Sequence, residues 1–273
     1  MTNFTIRTLT GSGLVILIVA AVWFGPYSFA ALMLLINVLG LYEFYRLLET
    51  PEVRPSKIAG ALLSAGLILC FLVILTGLVN WKLILLIIPA ASVIFLSALY
   101  RPVKKPFTGL AITFFGITCI SLPICFFVAI PFLNRPVGSY HSEVPLGAFM
   151  LLWTNDTIAY LFGSRFGKHH LFMRISPGKT WEGSFAGAAA GLIAACILSL
   201  YFPLLSAIEW EGLSLVIIVC GTYGDLIKSL LKRSTGVKDS GTILPGHGGI
   251  LDRFDSLLGS APFAFIYLVL LER

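Results

Sequence analysis

Between Gly224 and Gly259 the chain reads GDLIKSLLKRSTGVKDSGTILPGHGGILDRFDSLLG, a concentration of acids, bases and glycines in an otherwise apolar sequence. Asp225 stands near the end of an apolar run, where an unpartnered carboxylate is costly and usually functional. Lys228 and Lys232 follow at three and seven residues, on the same face of a helix. Next come Arg233, Lys238, Asp239, the turn formers Pro245 and Gly246, and then His247. The pair Gly248–Gly249 lets backbone N–H groups approach an anion closely. Asp252 and Asp255, three apart, open the last helix on one face.

This inventory suits the joining of two phosphate-bearing molecules. Such anions repel each other, so contact between them needs a divalent metal held by carboxylates and basic side chains on the remaining oxygens. Mg²⁺ takes hard oxygen ligands, typically one or two carboxylates with water and substrate phosphates. Asp225 and Asp252 are the leading ligands, with Asp255 and Asp156 next. Each residue also has a plainer reading. Asp252 could favour a helix N-terminus electrostatically, and Asp255 could pair with Arg253. Lys228, Lys232 and Lys238 could be ordinary basic residues of a cytoplasmic face, and His247 a turn residue. It is the conjunction that points to chemistry.

The elements that position these groups must lie in a membrane. Of 273 residues, 58% are apolar and 12% charged, and mean hydropathy is +0.94; soluble domains carry about 25% charge. Apolar runs near residues 9–24, 27–47, 58–78, 83–100, 108–132, 146–162, 184–202, 213–227 and 257–271 are each close to the length that crosses a hydrocarbon core about 30 Å thick. In lipid the backbone must satisfy its own hydrogen bonds, so these are helices. The expected fold is an all-α polytopic integral membrane protein with about nine transmembrane helices, the first run being a spanning helix because no cleavage site follows it. The whole chain is expected to form one membrane-embedded domain, with 1–150 mainly scaffold and 151–260 bearing the motifs.

Fifteen of the 19 basic residues fall in alternate loops, including Arg46, Arg101, Arg165, Lys179 and Lys238, against Arg7, Lys82, Arg135 and Arg273 on the opposite side. The positive-inside rule puts the richer set, and the two long loops 163–182 and 228–255, in the cytoplasm. The net charge of +6 then belongs to loops that meet lipid head groups and phosphates, not to nucleic-acid binding. The five cysteines lie in apolar runs without metal-ligand spacing. The Gly183, Gly187, Gly191 stripe fits close packing within the chain or, less simply, a homodimer interface.

The segment Ser229-x-Leu-Lys-Arg-x4-Lys238-Asp239-x-Gly-x2-Leu-Pro-x-His247-Gly-Gly-Ile-x-Asp252-Arg253-Phe-Asp255 resembles the full signature of the phosphatidate cytidylyltransferases, or CDP-diacylglycerol synthases. The stretch Asn155-Asp156-Thr-Ile-Ala-Tyr160, followed by Gly163, Gly167, Lys168 and Ile175-Ser176-Pro177-Gly178-Lys179-Thr180-x-Glu182-Gly183, is similar to that family's other cytoplasmic motif. The motifs cover roughly residues 156–259, and no role is carried over to the first half. The resemblance implies reaction of CTP with phosphatidate, dependent on Mg²⁺, giving CDP-diacylglycerol and pyrophosphate. It implies that Asp225 and Asp252 bind metal, and that Lys228, Lys232, Arg233, Lys238 and Arg253 meet phosphates. Ser176, Lys179 and Thr180 would hold the nucleotide, with Asp156, Asp239, Gly248 and Gly249 also on the substrates and His247 a phosphate or metal-shell contact. The attacking phosphate oxygen is already anionic, so no general base is required. The short N-terminus suits a bacterial inner membrane with the active site on the cytoplasmic side.

Other readings fit less well. A CTP-dependent kinase of polyprenols would need a base for its alcohol nucleophile. A transporter would place charges near the midplane and mirror its halves. A Walker loop fails because Gly163-x3-Gly167-Lys168 is one residue short and His169 stands where Ser or Thr is needed. The spaced aspartates of a CDP-alcohol phosphatidyltransferase are absent from the sequence.

Overall fold

The computed structural model describes residues 3–100, 102–133, 138–246 and 248–271; Arg101, Arg135, His247 and Arg273 lie outside them, as does the side chain of Arg7. The helices are α1 (Asn3–Trp23), α2 (Pro26–Leu48), α3 (Lys57–Leu75), α4 (Ile87–Ser97), α5 (Pro106–Gly116), α6 (Leu122–Ala129), α7 (Glu143–Phe166), α8 (Trp181–Tyr201), α9 (Ala207–Ser234) and α10 (Leu251–Leu270). Flanking 3₁₀ turns extend α4 to Trp81–Tyr100, and a π turn joins α5 to α6 within Pro106–Phe132. All nine apolar runs fall on these helices, and the chain is an all-α polytopic membrane protein.

Among the described residues, seven helical stretches are long and apolar enough to cross a bilayer, against nine expected. The difference lies in the first and sixth runs. The apolar part of α1, Thr8–Trp23, is shorter than the rest. In α7, Thr154, Asn155 and Asp156 interrupt the apolar run with polar groups. One element was not expected at all: strands β1 (His170–Phe172) and β2 (Ser176–Thr180) pair antiparallel. Outside lipid a loop can satisfy its backbone through a hairpin, and 163–182 does so.

The chain divides into two compact units, residues 1–140 with 239–253, and 141–238 with 254–273. In the first, Pro26 follows the positive-φ Gly25 and opens α2 at a position where its missing N–H costs nothing. Phe29, Met33, Phe44 and Tyr45 bury on α2, with Phe29 edge-on to Phe127 of α6 at 5.7 Å. Two buried polar side chains of this unit tie its helices together. Asn37 donates to Ser64 Oγ at 2.9 Å, and Tyr45 donates to the Thr113 carbonyl at 2.8 Å. The π turn at Ile117–Ser121 just precedes Pro123, which lacks the N–H for a helical bond; Leu122 N–H reaches Ile117 O instead.

In the second unit, α7 and α8 form a hairpin closed by the β strands, with α9 against both. Thr180 caps α8 by accepting from Gly183 N–H at 3.2 Å. Ser206 and Glu209 form a capping box at the start of α9. Gly183, Gly187 and Gly191 are buried against Ala159, Asn155 and Ile218, so the glycine stripe is consumed by packing on α7 and α9 within the chain. At its other end α9 stops in a Schellman turn. Gly236 takes φ +77°, its N–H donates to Arg233 O, and Val237 N–H donates to Lys232 O.

Candidate active site

The second unit brings together acids that are far apart in sequence. Asp225, on α9, accepts from Ser229 Oγ at 3.1 Å, one turn on. Lys179, on β2, places Nζ 2.5 Å from Asp225 Oδ2. The Asp225 side chain also shares a hydrogen bond with Asp255 of α10. Two carboxylates this close need positive charge between or beside them, as a proton or a cation. Asp156 on α7 is hydrogen-bonded to Asn155 and Ser256 and lies within electrostatic range of Lys179 and Asp225. Lys232 stands in the same relation to Asp255.

Helix packing explains the convergence. A Cβ on Gly224 would fall 2.5 Å from Gly259 Cα, so at this crossing only hydrogen separates the backbones of α9 and α10. Asp225 follows Gly224, and Asp255 precedes Gly259 by one turn. The close approach therefore carries the two carboxylates into reach of each other.

The first unit holds the glycine loop. Asp252 Oδ2 accepts from Ser240 N–H at 2.9 Å, Ser240 Oγ at 3.1 Å and Gly249 N–H at 3.1 Å. Leu244 N–H donates to Gly248 O at 3.0 Å, and Gly248 sits beside Asp239 with φ +80°. The Gly249 amide, expected at an anion, is thus donated to Asp252. Ser240 shares its hydroxyl with Glu43 of α2, whose carboxylate also accepts from Ile250 and Leu251 N–H. Glu43 was missed in the sequence because its partners lie about two hundred residues away. The available signal was an acid inside an apolar run.

The remaining motif residues have distinct places. Arg233 Nη1 donates to Val237 O at 3.0 Å and braces the turn after α9. Lys238, Asp239 and Arg253 are exposed, Lys228 and Lys232 half-buried. Ser176 begins β2, half-buried, and Thr180 is buried with its hydroxyl on the α8 cap. Glu182 accepts from Lys168 N–H at 3.1 Å and lies 2.6 Å from His169 Nδ1, tying the hairpin to the end of α7.

Among the described residues no three His, Cys, Asp or Glu side chains converge as a preformed metal cage. The Asp225–Asp255 pair nevertheless fits Mg²⁺, which needs only one or two carboxylates and completes its shell with water and substrate phosphates.

Comparison with known proteins agrees over the full length. The model of the cytidylyltransferase family matches residues 5–271. A phosphatidate cytidylyltransferase of Staphylococcus aureus is 34% identical over 272 residues, covering 97% of this chain and 98% of the relative. One from Bacillus subtilis is 33% identical over 279 residues, 99% of each. One from Staphylococcus haemolyticus is 33% identical over 272 residues, 97% of this chain and 98% of the relative.

Proposed function

This chain belongs to the cytidylyltransferase family, and from that membership we propose that it converts CTP and phosphatidate into CDP-diacylglycerol and pyrophosphate. The observation that carries the reading is the Asp225–Asp255 carboxylate pair with Lys179 beside it. A phosphate oxygen of the lipid attacks the α-phosphorus of CTP. The new P–O bond forms as the α–β bridging bond breaks, and its electron pair leaves with pyrophosphate. Both the attacking and leaving groups are anions, so the protein's task is positioning and charge neutralisation.

In this reading Asp225 and Asp255 would hold the divalent ion, and the motif separately implies a metal-binding role for Asp252. A Mg²⁺ bound there would supply neutralisation of the triphosphate oxygens. Lys228, Lys232, Arg233, Lys238 and Arg253 bind phosphates of the two substrates, with Lys179 and Ser176 at the nucleotide. The basic loops set this chemistry at the cytoplasmic face of a bacterial inner membrane.

Position-labelled CTP tests the reaction. With purified protein, phosphatidate and Mg²⁺, label at the α-phosphate should enter lipid and label at the γ-phosphate should appear in pyrophosphate. Entry of the γ-label into lipid would identify a CTP-dependent kinase and overturn the proposal.

A further inference from the structure

Glu43 lies on α2, in the half of the chain that carries none of the motif, and its side chain is 2% exposed. A buried carboxylate is costly unless hydrogen bonds compensate it. Three donors from the segment 239–253 compensate Glu43. Oε1 accepts from Ile250 N–H at 3.0 Å; Oε2 accepts from Leu251 N–H and from Ser240 Oγ, each at 3.0 Å. Helix α10 begins at Leu251, so Ile250 and Leu251 carry N–H groups that the helix itself cannot satisfy, and negative charge is favoured there. Gly241 and Gly249 pack directly on the carboxylate, and a Cβ on either would strike it.

Ser240 joins this anchor to the motif. Its hydroxyl lies 3.0 Å from Glu43 Oε2 and 3.1 Å from Asp252 Oδ2, while its N–H donates to Asp252 Oδ2. With Gly249 N–H on the same atom, Oδ2 of Asp252 is fixed by the loop, which sets where the rest of the carboxylate points.

We propose that Glu43 is a positioning residue for nucleotidyl transfer: from α2 it clamps both ends of the 240–251 loop and, through Ser240, orients Asp252. The role in catalysis rests on the reaction proposed above; the clamp itself does not. Outer-shell partners of this kind typically change activity 10–100-fold when removed.

Two variants separate positioning from mere folding. Glu43→Gln turns an amide N–H₂ toward at least one backbone donor. Ser240→Ala removes the hydroxyl that bridges Glu43 and Asp252, while keeping the backbone N–H on Asp252 Oδ2 and leaving α10 capped. For Glu43→Gln, amide hydrogen exchange in detergent should accelerate about tenfold or more at Ile250 and Leu251, and kcat should fall by roughly tenfold or more with a small change in the KM for CTP. Ser240→Ala should lower kcat several-fold while Ile250 and Leu251 keep wild-type protection. In an Asp252→Asn background, Glu43→Gln should cost little further activity. Wild-type kcat in either variant, or losses that multiply with Asp252→Asn, would overturn the positioning role. Unchanged exchange in Glu43→Gln would overturn the clamp. If wild-type protein fails to label lipid from CTP, the proposed reaction is lost, whereas the exchange comparison needs no substrate and still decides the clamp.

Discussion

Lys179 Nζ rests 2.5 Å from Asp225 Oδ2, linking strand β2 to helix α9. The ammonium offsets one of two neighbouring acids, since Asp225 is itself hydrogen-bonded to Asp255. A divalent ion arriving at this pair meets a positive charge already in place. Lys179 is therefore both a phosphate-binding candidate and a competitor for the carboxylate.

Lys179→Gln should separate those two effects. Removing the ammonium strengthens the local negative potential, so cation binding should tighten several-fold, on the order of 1 kcal/mol for a partly exposed pair. Turnover should fall by about tenfold or more because a phosphate partner is lost. Mn²⁺ titration followed by electron paramagnetic resonance reads the first and lipid labelling the second. Weaker cation binding would show that Lys179 assists the ion.

Gly224→Ala and Gly259→Ala probe the helix crossing. Each methyl would meet the backbone of the opposing helix, where nothing flexible can yield. Overpacking of this kind costs about 1–3 kcal/mol and shifts backbones. Both variants should unfold at lower temperature in detergent, and activity should fall further than stability because the Asp225–Asp255 approach is lost. Wild-type activity in either would remove the crossing from the account.

Thr180→Ala distinguishes a cap from a nucleotide contact. The hydroxyl accepts from Gly183 N–H at the start of α8. Loss of a Thr cap costs about 1 kcal/mol, which lowers Tm by roughly 2–4 °C in a chain of this size. The KM for CTP should stay the same. A raised KM at unchanged Tm would instead support the nucleotide role implied by the motif.

The helices were legible because lipid solvation forces long apolar runs, and each run identified in the sequence falls on a helix. The close packing of Gly183, Gly187 and Gly191 was legible for the same reason, since only small residues let helices approach. The β1–β2 hairpin was not, because SPGKT has neither strand periodicity nor β-branched residues until Thr180. Asp225 and Asp255 were marked as candidate ligands from their positions, but their pairing depends on the Gly224–Gly259 crossing, which no local pattern encodes. Glu43 stands out in the sequence only as an acid inside an apolar run, and its role is hidden for a similar reason. Its meaning comes from Ser240, Ile250 and Leu251, contacts of long sequence separation that composition and spacing do not report.

In the proposed reaction the Asp225–Asp255 pair holds the cation that drives cytidylyl transfer. The most direct test of this is the initial rate of CDP-diacylglycerol formation from labelled CTP by wild type, Asp225→Asn and Asp255→Asn at a series of Mg²⁺ concentrations, with folding checked by unfolding temperature. Wild type should form product only with the metal, and each folded variant should lose about 10²–10³-fold in rate, as expected when about 3–4 kcal/mol of charge stabilisation is removed. A folded Asp225→Asn or Asp255→Asn that works at the wild-type rate would contradict the account.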